Sequence, residues 1–271
     1  VLVTRSPEDK SIHIESSIDQ VNISTLGRLF FPVEKQKGLE FILEGKIDGH
    51  LDKDWTPLTL EGYIASDQGQ FNLDGLYQAP LKFSKLEVHL SYDKASNKIV
   101  LHDTHVDINN RTLQIKGEKI ASDKSDIFGL SVQVPELTFN EIHDIWPDNM
   151  KDTIAADWLV KRLSAAKIRD FKVYIPLDLD DITNVDTEML DASWAFENLT
   201  ADYQPPLYPA THAKGIATLK GDVLTIDIES GKLGDMVVDK GRVSITHLTH
   251  PTKIGDVLID ADLRGDVSTV L

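Results

Sequence analysis

A chain of 271 residues with 41% hydrophobic and 27% charged residues has the composition of an ordinary globular protein, which excludes both a disordered tract and a membrane-spanning bundle. Its 44 Asp and Glu residues outnumber 28 Lys and Arg, for a formal net charge of −16, so nucleic acid is not expected as a partner and broad adsorption to anionic headgroups is disfavoured. The absence of cysteine removes a disulfide framework and a thiolate metal site while leaving the compartment open between cytosol and periplasm. The chain begins at Val1 and holds no uninterrupted apolar stretch near the ~20 residues a membrane helix needs. It reads as a soluble piece whose signal or anchor would lie outside it.

Along the chain the dominant signal is alternation of apolar and polar residues with period two, the signature of strands with one apolar face. It runs through Leu39, Phe41 and Leu43, then Leu58 and Leu60, then Leu86, Val88, Leu90 and Tyr92. The polar stretches Asp93–Lys98 and Ile108–Thr112 follow as turns. Alternation resumes at Leu130, Val132 and Val134. Between Glu136 and Ala166 the rhythm breaks: a short helix is expected from Thr138 to Ile145, stopped before Pro147, and a second from the spacing of Ile154, Trp158, Leu159 and Leu163. Strands return at Phe171, Val173, Ile175, Leu177 and Leu179, at Leu224, Ile226 and Ile228, and at Val257, Ile259, Ala261 and Leu263, with turns expected at Lys220–Asp222 and Asp239–Arg242.

Short turns leave no room for crossover helices, so neighbouring strands should be antiparallel. The expected fold is mainly β, a long curved antiparallel sheet forming an open, repeating β-groove, with residues 1–135 and 167–271 as its two portions and residues 136–166 as a helical insertion. A loose internal repeat supports this: "GQFNLDGLYQAPL" at Gly69–Leu81 and "WAFENLTADYQPPL" at Trp194–Leu207 share an aromatic residue, Tyr, Gln, Pro and Leu in order.

The stretch "IWPDNMKDTIAADWLVKRLSAAKIRDFKVYI", Ile145–Ile175, carries a W-P step, then A-x-x-W-L, then L-S-x-A-x-I-x-D. This arrangement resembles the AsmA-like superfamily, in particular its YhdP- and TamB-type branch of bridge-like lipid-transfer proteins. The segment Ala192–Ile245 is similar to the same family's block: an aromatic strand, a Y-x-P-x-L-P turn, an A-x-G strand, an L-x-I-x-I-x-S-G strand and a closing hairpin. The likeness is strong from Trp146 to Leu248 and looser before; Asp148 stands where the family's W-P-P has its second proline. The resemblance implies a hydrophobic β-groove in the periplasm of a Gram-negative cell, anchored to the inner membrane by a segment absent from this chain. It further implies phospholipid movement toward the outer membrane, support of envelope integrity, and envelope protein partners.

The residues make such a role physically sensible, because an apolar sheet face must be covered by something, and acyl chains would serve. The expected lining is Leu86, Val88, Leu90, Val173, Ile175, Leu224, Ile226 and Ile228, with phospholipid acyl chains as partner. No enzyme is expected: there is no G-x-S-x-G elbow, P-loop or dinucleotide fingerprint, and neither a catalytic residue nor a cofactor is assigned.

No metal is assigned either. His102 and His105, beside Asp103 and Asp107, would diverge on a strand because positions three apart face opposite ways, and His247 and His250 meet the same objection. Asp178, Asp180, Asp181 and Asp186 lack the glycine of a calcium loop. Trp55, Trp146, Trp158 and Trp194 read as core or interface residues rather than sugar platforms, and the sequons at Asn22, Asn110 and Asn198 matter only in a eukaryotic secretory protein. The rival expectation is a non-enzymatic structural or adhesive β-scaffold that binds protein or glycan.

Overall fold

The structure is a computed structural model and describes residues 1–8, 10–23, 39–71, 76–120, 127–145, 148, 162–178, 185, 187–203, 208–248 and 255–266. Among the described residues, 17 strands form an open antiparallel sheet. The chain divides into two compact units: unit 1 is Val1–Val132 with Leu177–Thr183, and unit 2 is Gln133–Pro176 with Asn184–Leu271. No helix among the described residues is long and apolar enough to cross a membrane.

Unit 1 is a meander of β1 (Leu2–Arg5), β2 (Ile12–Asn22), β3 (Leu39–Leu51), β4 (Pro57–Ser66), β7 (Lys85–Asp93), β8 (Lys98–Ile108) and β9 (Arg111–Ile120), each antiparallel to the one before. The short strand β5 (Gly69–Phe71) pairs with the first residues of β3 on one side and with β6 (Leu81–Phe83) on the other, and Phe71 and Phe83 pack on Phe41 and on each other with ring centroids 4.8 to 5.8 Å apart. Local chemistry sets the turns. Asn109 and Asn110 both take positive φ (51° and 62°), the conformation of a type I′ hairpin, and join β8 to β9. Between β7 and β8, Asp93 Oδ1 accepts the amide hydrogens of Ala95 and Ser96.

After β10 (Ile127–Thr138), the helix α1 (Phe139–Ile145) begins with a reciprocal cap. The Thr138 amide donates to Glu141 Oε2 at 2.7 Å, and the Glu141 amide donates back to Thr138 Oγ1 at 3.4 Å. The expected helix over Thr138–Ile145 is therefore present with its start one residue later. The second expected helix falls almost wholly outside the described residues; its last apolar position, Leu163, lies in strand β11 (Leu163–Ser164).

Unit 2 continues with β12 (Lys167–Asp178), β13 (Asp191–Ala201), β14 (Ala210–Lys220), β15 (Val223–Leu233), β16 (Met236–Ile245) and β17 (Val257–Arg264), again each antiparallel to its predecessor. Gly221 at φ 57° turns β14 into β15. One expected turn is corrected: Asp239–Arg242 lies inside β16, where the register against β17 slips by one residue between Val238 and Lys240. The polar run is a β-bulge that keeps both Asp239 and Lys240 exposed, and the reversal occurs at Gly234–Asp235, with Gly234 at φ 57°. The two copies of the loose repeat begin on different elements, the three-residue β5 in one case and the long β13 in the other.

Candidate functional site

Register converts the alternation into continuous rows of apolar side chains on one face of unit 2. One row crosses the strands as Val173, Ala192, Leu219, Leu224, Ile245 and Val257. The next runs Trp194, Ala217, Ile226, Val243 and Ile259, and the one beyond it Ile168, Phe196, Gly215, Ile228, Gly241 and Ala261. Phe171 extends the middle row, its ring 6.1 Å from that of Trp194. The expected lining residues Val173, Ile175, Leu224, Ile226 and Ile228 all fall on this face, since positions two apart on a strand share a side.

Unit 1 has the same construction. Val3, Ile14, Gly49, Leu60, Tyr92 and Ile99 form one row; Ser16, Ile47, Gly62, Leu90, Leu101 and Gly117 form the next. Leu86 pairs with Ser66 and Val106 and Val88 with Ile64, so Leu86, Val88 and Leu90 share this face. At several positions a small residue sits opposite a large one, as Gly215 does beside Phe196 and Ile228 and Gly49 beside Leu60. A Cβ on Gly215 would stand 2.1 Å from the Asp227 carbonyl oxygen and 2.9 Å from the Phe196 ring, and one on Gly49 would stand 2.4 Å from Leu60. These glycines let the bulky neighbour lie flat across the strand.

The opposite faces are polar and tied by cross-strand ion pairs, Lys214–Glu229, Arg242–Asp227 and Arg264–Asp239 in unit 2 and Lys116–Asp103 in unit 1. Hydrogen bonding and charge from Lys116 hold the Asp103 carboxyl below the usual carboxylate range, and Glu229 likewise raises Lys214.

Sequence reasoning missed the small half of the site. In "HAKGIATLK" the inward residues are Ala213, Gly215, Ala217 and Leu219, while Ile216 points outward with 48% of its surface exposed, so hydrophobicity misassigns the first part of the strand. The alternation of buried and exposed residues could be recovered only from the cross-strand partners.

The histidine argument is corrected too. A bulge in β8 between Leu101 and Thr104 removes one step of alternation, so His102 and His105 lie on the same outer face instead of diverging. His102 Nε2 is hydrogen-bonded to Ser91 Oγ at 2.8 Å. His247 hydrogen-bonds Thr246, whereas His250, Asp180, Asp181 and Asp186 lie outside the described residues. Trp55 is an exposed turn residue, Trp194 is part of the apolar face, and Trp146 and Trp158 lie outside the described residues. The described residues that could together hold a metal ion are His13, Asp48 and His50, all on the polar face of unit 1.

The apolar face is incompletely covered within unit 2. Ile226, Ile228 and Val243 are half-buried, and toward β17 exposure rises to 45% at Val257, 50% at Ile259 and 42% at Leu263. No curated protein and no solved structure matches the chain. A family model described as YhdP protein matches residues 2–271. The sheet of one-sided strands and this match over nearly the whole sequence agree, and the chain belongs to the YhdP family, within the AsmA-like, YhdP- and TamB-type group.

Proposed function

We propose that this chain is a periplasmic segment that shelters or conducts phospholipid acyl chains along its apolar sheet faces, between the inner and outer membranes of a Gram-negative envelope, without catalysing a reaction. The observation that carries the reading is the set of apolar rows across β12 to β17, buried at Ile168, Ala192, Phe196, Leu224 and Ile245 but partly exposed at Ile226, Ile228, Val243, Val257 and Ile259. Such a surface is unfavourable in water, and covering it with methylene groups gains about 0.8 kcal/mol for each one buried. The interaction is non-directional, so a chain can move along the rows without meeting a deep trap. Family membership supports the envelope setting, inner-membrane attachment through another segment, and a role in envelope integrity.

The test is lipid content. Protein purified from a bacterial host without denaturant should carry phospholipid that mass spectrometry detects in a chloroform–methanol extract, and Ile226→Asp should lower the lipid-to-protein ratio several-fold while Asp227→Asn, on the opposite face, leaves it unchanged. A lipid-free preparation would overturn the reading and leave the structural or adhesive scaffold.

A further inference from the structure

We propose that His13, Asp48 and His50 form a binding site for a borderline divalent transition metal, zinc foremost, on the polar face of unit 1. His13 of β2 and His50 of β3 are direct cross-strand partners, and Asp48, two residues before His50, shares their face. One ligand atom from each of the three lies within 4.8 Å of the others, and His13 Nε2 is 2.8 Å from Asp48 Oδ2. Two ligands on one tetrahedral zinc are about 3.3 Å apart, so closing the set asks for movements of about 1.5 Å at most. The imidazoles are stacked, with centroids 4.7 Å apart and planes 17° from parallel, so their in-plane lone pairs run side by side. Seating an ion requires one ring to turn about its Cβ–Cγ bond, exchanging the His13–Asp48 contact for two metal bonds. His13 and Asp48, with side chains 36% and 54% exposed, have the room to do so.

A second observation points the same way. Glu15, Asp48 and Glu61 are consecutive partners across β2, β3 and β4, placing carboxylates directly opposite one another beside the histidine pair. Like charges in that relation destabilise a sheet, and the nearest cation in sequence on that face is Lys46, paired in register with Ser17 and Tyr63. A dication at Asp48 would offset the repulsion and tie β2 to β3. Two imidazoles and one carboxylate suit zinc, and copper or nickel less discriminatingly, whereas calcium and magnesium prefer all-oxygen sites. Water would complete the coordination.

The full 271-residue chain, stripped with chelator, can be titrated with Zn²⁺ by calorimetry beside the variants H13Q/H50Q and H102Q/H105Q. One saturable site is expected in the parent and in H102Q/H105Q, and its loss in H13Q/H50Q, with circular dichroism showing the strand signal unchanged. If the double variant does not fold, Asp48→Asn alone should weaken zinc at least ten-fold. Absence of saturable binding, binding retained in H13Q/H50Q or at full strength in Asp48→Asn, loss in H102Q/H105Q, or equal affinity for Ca²⁺ would each overturn the site.

Discussion

Thr104 sits on the apolar side of β8 with 3% of its surface exposed, and its hydroxyl oxygen has no hydrogen-bond partner. The neighbouring inward position, Val106, is equally buried. An unpaired buried hydroxyl costs about 1–3 kcal/mol in desolvation, and replacing it with a methyl group of the same shape removes that cost. Thr104→Val should therefore raise the urea midpoint, by the equivalent of about 1 kcal/mol, with the slope of the transition unchanged. A lower midpoint would mean that the hydroxyl is satisfied by a buried water. Thr104 also marks how the β8 bulge works: it restores the inward phase after His102 and Asp103, which are both exposed.

Among the elements, the hairpin joining β3 to β4 shows how side chains fix a turn. Asp52 Oδ1 accepts the amide hydrogens of Asp54 and Thr56, each at 2.9 Å, and Lys94 Nζ lies 3.9 Å from its other oxygen. The Thr56 amide, with help from that of Asp54 and the charge of Lys94, holds the Asp52 carboxyl below its ordinary 3.8. Its folded value is thus below its unfolded value, so the ionised form stabilises the hairpin fully above pH 3.8 and the contribution is lost as pH falls through the folded value. Asp52→Asn should lower stability at pH 7, and thermal unfolding should show the gap to the parent closing below pH 3.8. A gap independent of pH would assign the effect to turn geometry instead of charge. The strand of Leu86, Val88 and Leu90 and the reversals at Asp93–Lys98, Asn109–Asn110 and Gly221 were legible in the sequence because their causes are local, whereas the Asp52 hairpin and the reversal at Gly234–Asp235 were not among the expected turns. Bulges were not legible. The extra residue at Asp239–Lys240 is defined only against β17, and its polarity is that of a turn. The same cause hid the common face of His102 and His105, and the cluster of His13, Asp48 and His50 depends on the register of β2 against the next strand, β3, which period two does not fix.

At the scale of the whole molecule, the excess of acid is carried on the outer faces, where Asp227, Glu229, Asp239 and Asp262 sit in cross-strand ion pairs, while the inward rows hold no charge between Val173 and Val257 or between Trp194 and Ile259. A surface of that kind differs from a pocket in one measurable respect. A pocket concentrates its affinity in a few side chains around one cavity, so most substitutions on the face would be silent and one would abolish binding. A face built from repeated rows distributes it, since each methylene of the ligand gains a similar small increment wherever it lies. Single charges introduced at Leu90 in unit 1, and at Ile226, Ile228 or Val243 in unit 2, should therefore each reduce bound phospholipid by a comparable factor, with no position dominating. The reading is lipid-to-protein ratio by mass spectrometry across the four variants, normalised to the circular dichroism of each. A single variant that empties the protein while the other three remain loaded would replace the distributed surface with one discrete binding site.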